Sequence, residues 1–261
     1  MRQFTPYLFL LLAASFLYSC KSAKLSDAEE KQRIGEYFEA AAIYRKVYTK
    51  TPPAKRDLRG YIAFRMAECN RLINNTPRAT SAYMNALRYK YPDSIVNLRL
   101  GQMYQKSGRY GEAVKYYNDY LLAEPGSVLA FNGVTGCEEA VKWKQSPTRY
   151  TVKRMDKFNS RRSEFSPMLY GEKYDQLYFA STRAPKGAGK DKEETNSAIT
   201  GQRNNDLFLV KQDENGAWLA PVELEDEVNT EFDEGTPSFS KDGNTMYYTC
   251  LLYTSDAADD L

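Results

Sequence analysis

Chemistry needs a nucleophile, an acid–base group or a ligand set at workable spacing. The 261-residue chain offers four cysteines and no histidine. Without an imidazole there is no Ser–His or Cys–His pair to activate a nucleophile. No Gly-x-Ser-x-Gly elbow occurs, and Cys20, Cys69, Cys137 and Cys250 do not cluster at metal-ligand spacing. Carboxylate chemistry needs two acids poised across one bond, and no pair can be singled out. No catalytic residue, metal ligand or cofactor is therefore expected. The one cysteine in a reactive context is Cys20, which follows Arg2 and the short apolar run Tyr7 to Tyr18. That run falls below the roughly 20 apolar residues of a comfortable span, so residues 1–19 read as a secretion signal.

Leu17-Tyr18-Ser19-Cys20 resembles the lipobox of bacterial lipoproteins, although Tyr18 departs from the small or aliphatic residue usual there. The resemblance implies diacylglycerol on the Cys20 thiol, cleavage just before it, and acyl chains that hold the mature protein to a membrane. Two or more chains anchor stably where one does not. Lys21-Ser22-Ala23 carries no acidic surface-export tag, which implies an outer-membrane lipoprotein facing the periplasm.

Binding is the remaining chemistry. A net charge of +2, from 36 basic and 34 acidic residues, argues against nucleic acid as a partner, because a phosphate-tracking surface needs a clear basic excess. The residues with the types and spacing to bind a protein lie in a repeat. Ser94 to Ser127 carries Leu100-Gly101, Tyr104, Gly108, Tyr110, Ala113, Tyr117 and Pro125, and resembles the tetratricopeptide repeat (TPR). Gly101 and Ala113 stand where the two helices of such a repeat cross, and Pro125 ends the second helix. Upstream, Ala67, Ala79, Tyr83 and Ala86 match within Gly60 to Asp93, with Thr76-Pro77 as N-cap and first-turn proline. Gly35, Tyr37, Ala40, Tyr44, Val47 and Pro52 match within Lys21 to Ala54.

The alanine anchors Ala40, Ala79 and Ala113 are 39 and then 34 residues apart, and the extra five are assigned to a linker, Pro53 to Arg59. A fourth first helix from Val128, with Phe131 and Val134 in register, would cap the array. Cys69 and Cys137 then occupy one position in two non-adjacent repeats, too far apart for a disulfide, and read as small core residues. In this repeat family the first helices line a groove. Its matching positions, Tyr61, Phe64, Glu68, Arg71, Gln102, Gln105 and Lys106, suit an extended peptide or a partner loop.

The periodicity changes after Pro147. Arg149 to Met155, Gln176 to Ser181, Asp206 to Lys211 and Ala217 to Val222 alternate like strands, with a hairpin turn at Asp213-Glu214-Asn215-Gly216. Residues 184–205 hold an insertion poor in apolar residues, expected to be a mobile loop. Phe165-Ser166-Pro167 and Leu177 to Arg183 pair with a second segment, Glu234 to Thr249, which holds Thr236-Pro237, Ser240-Lys241-Asp242-Gly243 and Met246-Tyr247-Tyr248. The second segment resembles the WD40-like repeat of TolB-type β-propellers, and Asp242-Gly243 suits a tight hairpin turn. A sialidase-type Asp box over Ser240 to Tyr247 is the enzyme alternative, but it spaces its Asp and Gly by one residue and these are adjacent.

In the first segment the strand continues into Ser181-Thr182-Arg183, and the second should do likewise after Thr249. Instead residues 250–261 resemble the translation of a transposase-derived sequencing adapter, so they are expected to be non-native and the natural protein to continue.

The expected organisation is a signal at 1–19, TPR helices at 20–142, the start of a propeller at 143–249 and a foreign tail at 250–261. The fold class is an all-α solenoid followed by an incomplete all-β propeller of about one and a half blades. This order resembles Bacteroidetes outer-membrane lipoproteins that continue into an OmpA-like domain, some within type IX secretion and gliding machinery. The resemblance implies a membrane-anchored interaction scaffold that is not an enzyme. Its partners would be proteins at the groove and the propeller, with peptidoglycan reached only through the absent domain. The alternatives are a propeller-based glycan or peptide sensor, or a propeller hydrolase.

Overall fold

The computed structural model describes residues 23–184, 196–225 and 227–251. It divides after Val141 into two compact units. Cys20, the signal segment, half of the expected mobile loop and the tail from residue 252 lie outside the described residues.

The first unit is a TPR-like helical solenoid of antiparallel helix pairs. They are α1 (Leu25–Arg33) with α2 (Tyr37–Lys50), α3 (Arg56–Leu72) with α4 (Thr76–Arg88), and α5 (Ile95–Lys106) with α6 (Tyr110–Ala123), followed by α7 (Val128–Gln145). The turn inside each pair needs one left-handed residue, supplied at matching positions by Gly35 (φ 86°), Asn74 (φ 63°) and Gly108 (φ 71°). Ala40, Ala79 and Ala113, four residues ahead of Tyr44, Tyr83 and Tyr117, are wholly buried, and the three tyrosines are at most 2% exposed. An alanine at each crossing lets the helices approach, and the tyrosine one turn later fills the space beyond it.

Tyr117 shows how tight this packing is. A Cβ added at Gly101 would lie 2.6 Å from its ring, and one at Gly133 on α7 would lie 2.5 Å from the other side. The ring is therefore held between two helix backbones at positions only glycine can occupy. Cys69 and Cys137 are buried free thiols, and burial pushes the Cys69 thiol up to about 12, so it stays protonated and unreactive.

Three details of the helical reading change. The extra five residues of the second repeat are not a linker: α3 has 17 residues where α5 has 12, so the additional segment from Arg56 to Gly60 is helix. Arg59 fixes it, stacking over the Tyr48 ring at 4.1 Å and donating to the Tyr48 carbonyl and to that of Thr51, at the end of α2. The N-cap of α4 is Asn75, not Thr76, because the Asn75 side chain accepts from the Arg78 N–H at 3.3 Å. Finally, α7 seals the core through Ala130, Gly133 and Cys137, yet Leu129 and Phe131 are exposed on its other side. A terminal cap would be polar there.

In the second unit, β1 (Glu164–Tyr170), β2 (Gln176–Ser181), β3 (Asp206–Lys211) and β4 (Val222–Glu223) form an antiparallel sheet in chain order. A separate ladder joins β5 (Asp233–Phe239) to β6 (Met246–Leu251). Phe158, Phe179, Phe208 and Val210 make the core, with Trp218 edge-on to Phe158 at 5.5 Å.

Arg149 to Met155 is not a strand. Its side chains are exposed, so alternation there buries no face, and β1 begins instead at Glu164. Ala217 to Val222 supplies only an isolated bridge from Trp218 to Gln212 and the first residue of the two-residue β4. Part of the expected loop is built in: Asn196 bridges to Arg203, and Ser197 is 7% exposed. Asp213 organises its turn by accepting from the Asn215 and Ala217 N–H groups at 2.9 and 2.8 Å. Six strands among the described residues make one sheet and one ladder, whereas a propeller would need further blades.

Candidate functional site

All seven groove candidates lie on first helices: the four on α3 are spaced at three or four residues and share a face, and on α5 Gln105 and Lys106 follow Gln102 by three and four. Most of their polar groups are already engaged. The Tyr61 hydroxyl donates to Glu29 of α1 at 2.8 Å; burial and then this bond push its pKa up to about 12. Phe64 stacks on Tyr91, centroids 4.5 Å apart. Gln102 accepts from Arg99 at 3.1 Å, and Gln105 accepts from the Tyr117 hydroxyl at 2.6 Å. The exposed Lys106 donates to Asn74 in the preceding repeat.

Glu68 is the centre of this surface. Arg71 pairs with it at 2.7 Å, Arg99 of the next repeat approaches to 3.2 Å, and the buried Tyr83 hydroxyl donates to it. Burial alone would raise the Glu68 pKa, but the hydrogen bonds from Arg71 and Tyr83 and the two guanidinium charges outweigh burial and hold it low. The carboxylate is thus neutralised from α3, α4 and α5 together, and it fixes the second and third repeats against each other. Phe64, Glu68 and Arg71 support this face more than they offer binding groups to a partner.

The three repeats place equivalent phenols in bonds to the first helix, with the acceptor twelve residues back for Tyr44 and Tyr117 and one turn further for Tyr83, where Arg71 takes the matching position. Tyr44 donates to Gln32 at 2.9 Å, Tyr83 to Glu68 and Tyr117 to Gln105, each acceptor lying on the first helix of the same repeat.

A second surface was not found from the sequence. Met66 and Asn70 of α3 and its C-cap Ile73 lie two residues from Phe64, Glu68 and Arg71, roughly 200° around the helix. They floor a cleft of about 430 Å³ between α2 and α4, rimmed by Phe38, Arg45 and Arg78. The corresponding gap between α4 and α6 is bridged by the Tyr116 hydroxyl, 3.3 Å from the Met84 sulfur. By repeat register, Tyr116 matches Ala82 and Met84 matches Arg45. An alanine in place of the tyrosine leaves the space open. That substitution was the available signal, visible only once the helices were paired.

In the strand unit the two related segments share an unusual backbone. Ser166 and Thr236, each just before a proline, have φ of 51° and 54°, and each lies within a β-bulge. A glutamate precedes each bulge. Glu164 accepts from Ser160 at 2.5 Å, from Ser181 at 3.3 Å and from Arg183 at 2.9 Å. Glu234 accepts from Thr230 at 2.5 Å and from Cys250 at 3.5 Å. Cys250 thus takes the place of Ser181, and β6 continues through Leu251 beside Asp233. No counterpart of Arg183 is present among the described residues, and Glu234 Oε2 is buried without a hydrogen-bond partner.

Nearby, burial lifts Asp206 to about 6 despite Arg203 at 2.6 Å, with Glu223 and Glu234 adding negative charge. No group of three or more acids, cysteines or histidines among the described residues could hold a metal ion.

No protein-family model matches the sequence, and no curated protein matches it. Solved structures resemble the chain in part. The MamA protein shares 16% identity over 50% of this chain and 77% of its own, with a TM-score of 0.39. The C-terminal TPR-containing domain of a Plasmodium falciparum putative FK506-binding protein shares 17% identity, over 48% and 92%, at 0.41. The Sgt2 TPR domain from Aspergillus fumigatus shares 16% identity, over 55% and 93%, at 0.40. The solenoid assignment rests on the helix pairing and core described above.

Proposed function

We propose that the chain is a protein-interaction scaffold whose helical repeats present a pre-ordered first-helix surface to a partner. The observation that carries this reading is the series of side-chain bonds between repeats on that surface: Tyr61 to Glu29, Arg99 to Glu68 and Lys106 to Asn74. Such bonds fix the face before any partner arrives, which lowers the ordering cost of binding. Gln102, Gln105 and Lys106 are the groups at its accessible end.

The lipobox resemblance supports an acyl anchor on Cys20, and the order of segments supports an outer-membrane scaffold facing the periplasm. The strand unit would be part of a propeller, and a link to type IX secretion or to the cell wall is what the family resemblance implies. Among the described residues no helix is long and apolar enough to cross a membrane.

The test places a photo-crosslinking residue at Gln102 or Lys106 and, as a control, at the exposed Lys115 of α6. A defined partner captured only from the first-helix positions, and lost with Gln105→Lys, is the expected result. Equal capture from Lys115 would refute the surface assignment. Labelling with an alkyne fatty acid should mark the wild-type chain and fail with Cys20→Ala; labelling of both removes the anchor.

A further inference from the structure

We infer that the cleft between α2 and α4 is a second docking site, for an extended acidic segment of a partner protein. The segment would insert one apolar side chain between the helices and pair its carboxylates with Arg45 and Arg78. The site lies on the far side of α3 from the first-helix surface, so it adds to the proposed scaffold role and does not restate it.

Three observations converge on this occupant. The first is space. The α4–α6 gap is closed by Tyr116 reaching Met84, while the α2–α4 gap has Ala82 and Arg45 at those positions and holds a cavity of about 430 Å³. A volume of this size accepts a large apolar side chain with backbone on either side. The second is the lining. Ala41, Ala42 and Ala82 form smooth walls above Met66 and Ile73, and Phe38 is 39% exposed at the rim. An aromatic held at a cavity mouth suits packing against an inserted apolar group.

The third is charge. Helices α2 and α4 carry Arg45, Lys46, Lys50, Arg78 and Arg88 against one acid, Glu39. Glu39 is already paired with Lys31 at 3.0 Å. Both Arg45 and Arg78 are exposed, and neither guanidinium has an ion-pair partner among the described residues. An apolar slot between two uncompensated guanidinium groups selects for carboxylates on each side of an apolar residue.

Fluorescence anisotropy on the full chain tests this with two labelled peptides. One has Leu-Phe flanked on each side by two aspartates; the other has lysines in their place. The aspartate peptide should bind at least about tenfold more tightly. Ala82→Tyr, which installs the residue tolerated at the next repeat, should weaken it about tenfold or more by filling the slot. The double variant Arg45→Glu, Arg78→Glu should do the same through charge, and it carries the test if Ala82→Tyr does not fold. Lys106→Glu should leave the affinity unchanged, separating this site from the first-helix surface. Equal binding of both peptides, no binding of either at millimolar concentration, or wild-type affinity in a folded cleft variant would overturn the assignment.

Discussion

The buried phenols of Tyr44, Tyr83 and Tyr117 each find an acceptor on the first helix of their own repeat. The two glutamates of the strand unit fare differently: Glu164 is met by two serines and Arg183, whereas Glu234 has Thr230 and Cys250 and leaves Oε2 without a partner. The helical repeat holds donor and acceptor within one unit, so every copy brings its own answer. The strand repeat takes its cation from beyond the end of the second strand. A buried carboxylate left unmatched costs stability.

The largest expected effect sharpens the helical side. Gly101→Val should destabilise the solenoid by about 3 kcal/mol or more, because its side chain meets the Tyr117 ring at 2.6 Å between fixed helices. Gly111→Ala is the matched control: nothing lies within 4 Å of its added Cβ, and helix propensity predicts a gain of about 0.5–1 kcal/mol. Denaturant unfolding followed by helical circular dichroism reads both. Similar midpoints for the two variants would mean that the core is not held against Tyr117.

An arginine supplied to Glu234 addresses the strand side. Residue 252 lies outside the described residues, but it follows Cys250 by two, as Arg183 follows Ser181. Leu252→Arg should raise the stability of the strand unit by about 1–3 kcal/mol, read from Trp218 fluorescence during unfolding in a Trp143→Phe background. The gain should vanish in a Glu234→Gln background. If it persists there, the arginine is not answering the carboxylate.

The smallest effect separates the two regions by pH. Glu68 has a lowered folded pKa, so its contribution to the solenoid is present above the unfolded value of 4.5 and is lost as pH falls through the folded one. Asp206 has a folded pKa raised from 3.8 to about 6. Its contribution is fully present below 3.8 and is lost as pH rises through about 6. For Asp206 the change from pH 7 to 5 should amount to about 1 kcal/mol. Between pH 7 and 5 the strand unit should therefore gain stability while the helical unit stays level; below 4.5 the helical unit should weaken. Replacing Asp206 by Asn should flatten the first trend, and Glu68→Gln the second. Parallel shifts in both regions would break the distinction.

Much of the fold was legible because its constraints are local. The Ala–Tyr spacing of four, the left-handed positions at Gly35 and Gly108, and the Asp242-Gly243 turn each follow from backbone geometry within a few residues. Asp242 there accepts from Ser240 at 2.6 Å, and Gly243 has φ 73°. Arg149 to Met155 misled for the complementary reason: alternation shows that a strand is possible, but only a neighbour and a buried face make one. The seven groove residues were placed correctly on first helices by their period. Their engagement was not legible, because Glu29, Asn74, Tyr83, Arg99 and Tyr117 meet them only after the chain has folded back.

The sequence by itself determined the repeat period, the small and aromatic positions of each helix pair, and the two related strand segments that share a proline. These depend on side-chain size and on the backbone preferences of Gly and Pro, which each residue carries with it. The tertiary structure alone decided that Glu68 is held by three helices, that Ala82 opens a cleft where Tyr116 closes one, and that Glu234 is buried with one oxygen unanswered. Each of these depends on which residue from another segment arrives at the same place, and packing across repeats fixes that in space.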